Sequence, residues 1–96
     1  MKAVFIVYNQ ALIDKILDVL RRLGLRGYTQ WEHVKGVGGD HGEPHLGTHT
    51  WPAINLAMLV LCDADEALRL MQELKAIDDS APEQGLRAYV WEAQSW

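Results

Sequence analysis

Two stretches of the chain are apolar almost without interruption, and two more are apolar at helical spacing. Lys2–Tyr8 (KAVFIVY) and Trp51–Leu61 (WPAINLAMLVL) are the continuous runs. Unbroken β-branched, aliphatic and aromatic residues over such lengths suit strands buried on both faces, at the centre of a sheet. Pro52 lacks an N–H for the ladder and is tolerated because it falls near the start of its run. In Ala11–Leu23, the residues Ile13, Ile16, Leu17, Leu20 and Leu23 recur with helical period, while Asp14, Lys15, Asp18, Arg21 and Arg22 take the other side. Asn9 is placed to cap this helix and Gly24 to end it in the left-handed conformation. A second helix starts at Asp63, where Glu66 completes a capping-box pattern, and Ala67, Met71 and Leu74 carry its apolar stripe through Lys75, with Ile77 in phase. Asp78–Gly85 (DDSAPEQG) reads as a polar connection broken by Pro82 and Gly85. Gly27–Val34 (GYTQWEHV) has polar residues on either face, as an edge strand does, with Trp31 and His33 on one face. Leu86–Glu92 (LRAYVWE) alternates and makes a fourth strand.

The order is therefore β-α-β-β-α-β. Right-handed crossovers and central placement of the two most apolar strands select an α+β, ferredoxin-like sandwich: a four-stranded antiparallel sheet, two helices on one face, and a long loop between strands 2 and 3. Residues 1–96 make one domain, large enough to close a single core. Helices on one face leave the other face of the sheet apolar and open, and association covers such faces.

Bulk properties narrow the function classes. Nine basic residues against thirteen acidic ones give a formal charge of −4, which argues against a nucleic-acid surface. Arg21, Arg22 and Arg26 are the one local basic cluster. No apolar run is long enough to span a bilayer, so no direct membrane insertion is expected. The single cysteine, Cys62, excludes an intrachain disulfide, fits a reducing cytoplasm and reads as a buried small hydrophobe. The four tryptophans read first as core fillers, with interface or ligand-platform roles as the alternative.

The segment Gly36–Pro52 (GVGGDHGEPHLGTHTWP) cannot pack like the rest. Five glycines and Pro44 exclude a regular helix or strand, and loops of about 15 residues are usually functional or disordered; the expectation here is a functional one. His33, Asp40, His41, Glu43, His45 and His49 fall within 17 residues, and imidazole with carboxylate is the ligand set of borderline divalent cations. His41, Glu43, His45 and His49 are the candidate metal ligands; His33, on a strand beside Trp31, reads as a packed or interface residue. The competing expectation for each histidine is an ordinary polar loop residue. A second reading uses the glycines: Lys35, Gly36, Gly38 and Gly39 are candidate cofactor-binding residues, their backbone N–H groups forming an anion nest with Lys35 alongside. Cys62, Ser80 and Ser95 have no nucleophile motif around them, so no catalytic residue and no enzyme activity is expected.

Three runs carry a resemblance: Trp31-Glu32-His33-Val34-Lys35-Gly36-Val37-Gly38, Gly42 to Pro52, and Gln84-Gly85-Leu86-Arg87-Ala88-Tyr89-Val90-Trp91. With the element order, they resemble the trimeric nitrogen-regulatory PII superfamily, in the PII-like branch associated with heavy-metal and other efflux transporters. The divalent-cation tolerance proteins share the fold and are a weaker match. The resemblance implies a homotrimer, ligand sites in the clefts between subunits, and a loop that reports ligand state to a partner, here a membrane transporter. The chain departs from the family pattern in lacking both the tyrosine-containing Tyr-Arg-Gly-Ala-Glu-Tyr loop that is uridylylated and the Gly-Asp-Gly-Lys nucleotide motif. The expectation is thus a cytoplasmic PII-like signalling protein whose loop senses a metal ion or small ligand, with nucleotide binding in doubt. The alternative is an adenine-nucleotide or anion-binding module using the subunit clefts.

Overall fold

The computed structural model describes residues 1–37, 44–45 and 54–96, with 36–37 and 44–45 given by their backbone alone. Six strands and two helices follow in the order β1 (Lys2–Asn9), α1 (Ile13–Arg22), β2 (Thr29–Val34), β3 (Gly36–Val37), β4 (Pro44–His45), β5 (Asn55–Cys62), α2 (Ala64–Ser80) and β6 (Arg87–Glu92). The main sheet runs β2-β5-β1-β6, and all its neighbours are antiparallel. This is the expected ferredoxin-like α+β architecture. The two most apolar strands lie at its centre because only there does neither edge of a strand face water.

One side of the sheet is closed. Val4, Ile6 and Tyr8 of β1 and Met58 and Val60 of β5 pack with Ile16, Val19 and Leu20 of α1 and Leu70 and Leu74 of α2 into one buried cluster. Burial on both faces, expected of the central strands, is complete on this side, whereas on the other it is reached by the small residues Ala3 and Ala57. On the other side Phe5, Val7 and Leu59 are half-buried, while Trp31, Leu61, Tyr89 and Trp91 are exposed. Phe5 and Trp31 meet there with ring centroids 6.4 Å apart, tilted by 57°. The core-filler reading of the tryptophans is corrected accordingly: Trp31 and Trp91 lie on the open face and Trp96 projects into solvent. Trp51 lies outside the described residues.

Local chemistry explains where the helices begin and end. Asn9 Oδ1 accepts from the Ala11 N–H at 2.8 Å and opens a single 3₁₀ turn, Gln10–Leu12, which runs into α1. At the other end the Leu25 N–H reaches the Leu20 carbonyl and the Gly24 N–H that of Arg21, with Gly24 at φ 75°. That is the left-handed glycine stop. In α2 the capping box is present in both directions, Glu66 N–H to Asp63 Oδ1 at 2.8 Å and Asp63 N–H to Glu66 Oε1 at 2.9 Å. The helix continues five residues past Lys75, to Ser80, through polar residues that read as a connection. Its true stop is Pro82, which drives the preceding Ala81 out of helical conformation, to φ −145° and ψ 60°.

Candidate functional site

The edge strand β2 prepares the root of the long loop. Trp31 pairs with Ala57, but Val34 pairs with Asn55, so β2 carries one residue more than β5 between these points. The extra residue is accommodated at His33, which has φ 57°, the one positive φ outside glycine among the described residues. A bulge of this kind turns two successive side chains to the same side. Glu32 and His33 accordingly line one cleft of ≈ 390 Å³ with Gln10, Ile13, Ile54 and Leu56, on the α1 side of the sheet. The expectation that His33 shares a face with Trp31 is overturned by this bulge, because Trp31 stays on the open face against Phe5.

Beyond Val34 the chain leaves the main sheet. Lys35 is exposed, and Gly36–Val37 then pairs with Pro44–His45, Gly36 opposite His45 and Val37 opposite Pro44. This two-stranded stem brings two candidate residues, Gly36 and His45, face to face along the backbone. The candidates Gly38, Gly39, His41, Glu43 and His49, and Asp40 with them, lie outside the described residues. Among the described residues no three His, Cys, Asp or Glu side chains gather as a metal site would require.

The basic cluster of α1 is divided by its partners. Arg21 and Arg22 both bond Asp18, at 2.9 and 3.1 Å, and Arg22 also reaches Glu73 of α2 at 3.4 Å. Those hydrogen bonds hold the Asp18 carboxyl below its ordinary range. Arg21 and Arg26 instead flank a groove of ≈ 320 Å³ with Tyr28, Leu17, Leu20 and Leu25. A second cleft, between α2 and β6, joins Lys75, Asp78 and Arg87 to an apolar floor. Sequence reasoning marked the arginines of the first as a basic cluster and passed over the second, whose residues come from two distant elements. The one signal available was Arg87, a cation at the start of an edge strand just after the Gly85 breaker.

Cys62 is buried at the end of β5, and burial pushes its thiol pKa up, as its reading as a small hydrophobe expects. Among the described residues no helix is long and apolar enough to cross a membrane.

A model of the family described as nitrogen regulatory protein P-II matches residues 1–91. No curated protein sequence matches the chain. Among solved structures, the chain is similar to CPII, a nitrogen regulatory PII-like protein from Thiomonas intermedia, bound to ADP, AMP and bicarbonate. The two share 18% identity and superpose with a TM-score of 0.76 over 99% of this chain and 91% of that one. A second CPII structure, bound to ADP and bicarbonate, gives 19% identity and a TM-score of 0.74, covering 94% and 82%. A PII-like signalling protein from Thermus thermophilus shows 26% identity and a TM-score of 0.65, covering 94% and 83%.

These relatives correct the cofactor expectation, a divalent metal ion with nucleotide in doubt: CPII holds ADP, AMP and bicarbonate. The metal reading counted ligand types along the sequence, which does not bring them together in space. The doubt about nucleotide rested on one missing local motif, whereas any concave run of backbone N–H groups can hold an anion.

Proposed function

The chain belongs to the nitrogen regulatory protein P-II family, and from that premise we propose a signalling protein that binds an adenine nucleotide, with a small anion such as bicarbonate, in the clefts between the subunits of a homotrimer. The observation that carries this reading is the fold shared with CPII over nearly the whole chain, together with CPII's own ADP, AMP and bicarbonate. Two features of this chain support it. Exposed Lys35 stands at the root of the glycine-rich loop, next to the β3–β4 stem, where its ammonium would meet a phosphate. The open sheet face, bearing Trp31, Leu61, Tyr89 and Trp91, supplies the apolar surface that assembly covers and so creates clefts beside that root.

In this reading the protein acts by binding and release, and a nucleotide incubated with it should be recovered unchanged. The transporter as receiver of the signal belongs to the same proposal and is supported by the likeness of the Trp31–Gly38, Gly42–Pro52 and Gln84–Trp91 runs to the efflux-associated branch. Calorimetry with ADP, AMP, ATP and bicarbonate, beside light scattering of the free protein, tests it. The expected results are saturable ADP or AMP binding, a particle of about three times 10.9 kDa, and a loss of about tenfold in ADP affinity in Lys35→Ala, the scale of one charge-assisted hydrogen bond. Absence of binding by every adenine nucleotide at millimolar concentration overturns the nucleotide reading, and a monomer overturns the inter-subunit cleft.

A further inference from the structure

A groove of ≈ 320 Å³ lies at the end of α1, with Leu17, Leu20 and Leu25 as its floor and Arg21, Arg26 and Tyr28 at its rim. Leu20 and Leu25 are buried, whereas Leu17 is half-buried and leaves apolar surface within the groove. The three leucines belong to the cluster that closes the helix side of the sheet. The groove is therefore not on the open face, whose Trp31, Leu61, Tyr89 and Trp91 supply the apolar surface that assembly covers. Nothing stands close over its flank: a Cβ placed at Gly24 or at Gly27 would meet no atom within 4 Å.

The rim is positive and only partly neutralised. Arg22 lines a different groove, between α1 and α2, where Asp18 and Glu73 both hold it. Arg21 shares Asp18 at 2.9 Å, yet 75% of its side chain is exposed. Arg26 is exposed and has no acidic partner among the described residues. The end of a helix is ordinarily a negative place. Here the carbonyls of Val19, Leu20 and Arg21 already accept the N–H groups of Leu23, Leu25 and Gly24. An incoming acid thus meets guanidinium groups rather than free carbonyls. With thirteen acidic residues against nine basic ones, most of the remaining surface repels such an acid, which favours this one place.

We propose that this groove docks an acidic segment of a partner protein, one that carries an aliphatic or aromatic side chain between its carboxylates. The carboxylates bind the Arg26 guanidinium and the exposed N–H groups of Arg21, and the apolar side chain rests on Leu17 beside the Tyr28 ring. Arginine and tyrosine around an apolar floor are the composition of interface hot spots. An anionic bilayer would offer the same negative charge, but the net −4 of the chain opposes approach to a broad anionic surface while leaving a narrow acidic strand free to enter.

The test is fluorescence polarisation of the native assembly with a fluorescein-labelled peptide, Asp-Glu-Leu-Asp-Phe-Glu. Two peptides serve as controls, one with serine in place of leucine and phenylalanine and one with lysine in place of every acid. The expected result is saturable binding of the first peptide, weakened severalfold between about 0.05 M and about 0.3 M sodium chloride, with both controls at least fivefold weaker. Arg26→Glu should weaken binding fivefold or more; being exposed and unpaired, Arg26 can change without loss of the fold, which circular dichroism checks. Arg22→Gln removes a neighbouring charge that lies outside the groove, and its affinity should stay within twofold. Equal losses in Arg26→Glu and Arg22→Gln would mean unspecific attraction and overturn the proposal. It is also overturned by displacement of the peptide by ADP, which would place the arginines in the nucleotide site. No saturable binding at millimolar protein, or sedimentation with phosphatidylglycerol vesicles in place of peptide binding, overturns it as well.

Discussion

Replacing His33 by glycine should stabilise the protein, although it deletes a whole imidazole. At φ 57° the His33 backbone is left-handed, a conformation that costs an L-residue about 1–2 kcal/mol because Cβ crowds the following carbonyl. Glycine removes that cost. Against it stands the larger conformational freedom of glycine in the unfolded chain, about 0.4–1 kcal/mol. His33 is exposed, so its ring contributes little packing to be lost. The net expectation for His33→Gly is a gain of about 0.5–1 kcal/mol, equivalent to a rise of roughly 2–8 °C in Tm for a domain of this size. His33→Val should do the reverse. A β-branched side chain tolerates the left-handed region worst, so it should either strain the bulge or straighten it, at a loss of about 1 kcal/mol or more. The spread between the two variants, on the order of 2 kcal/mol, is well outside the error of a melting curve. The measurement is thermal unfolding by circular dichroism at one fixed protein concentration, because assembly shifts Tm by mass action. If His33→Val melts as high as His33→Gly, the left-handed bulge is not a feature of the folded chain and the account of how β2 delivers the loop root fails.

Further expectations concern the scaffold. Tyr8 is fully buried and donates to Gln30 Oε1 at 2.8 Å; burial, with the charges of Tyr28 and Glu32 adding, pushes its pKa up to about 12. The folded state thus holds this proton more tightly than the unfolded chain, whose tyrosine titrates near 10, so stability is fully present below about pH 10 and falls by roughly 2 kcal/mol as pH rises toward 12. Denaturant unfolding across that range, compared with Tyr8→Phe, isolates the effect, and an equal slope in both proteins refutes it. Asp63→Ala removes the acceptor for the Glu66 N–H and leaves only the backbone N–H of residue 63 to meet Glu66 Oε1, and should cost about 1 kcal/mol; a midpoint unchanged in urea would show that α2 does not depend on its cap.

Much of this could be read without a structure. The two strand-length apolar runs, the spacing of Ile13, Ile16, Leu17 and Leu20, the Asn9 cap, the Asp63–Glu66 box and the Gly24 stop each depend on residues only a few positions apart, so the chemistry that decides them is contained in the local sequence. The end of α2 is not fixed by local sequence, because Asp78, Asp79 and Ser80 are good turn residues as well as tolerable helix residues. Only Pro82, acting on Ala81, decides between them.

The site was legible to a lesser degree, for a physical reason. Composition marked Gly36–Pro52 as the segment that could not join the core, and the histidines within it suggested a metal. Residue types alone do not carry distances, so a list of ligand types along the chain does not make a site.

What the sequence determined by itself is the order of the two helices and the four strands of the main sheet, where α1 stops and α2 starts, and which two strands go to the middle, since hydrophobic period and capping act within a turn or two. The short β3–β4 pair inside Gly36–Pro52, from which glycine and proline were expected to exclude strands, and the far end of α2 were not among them. What only the tertiary structure decided are pairings between distant residues. Trp31 against Ala57 and Val34 against Asn55 leave one residue over, and that mismatch puts His33 beside Glu32 rather than beside Trp31. The return of β6 alongside β1 brings Arg87 to within 3.8 Å of Asp78, while its guanidinium donates to the Leu86 carbonyl. Register and long-range electrostatics are properties of two segments at once, and neither segment states them alone.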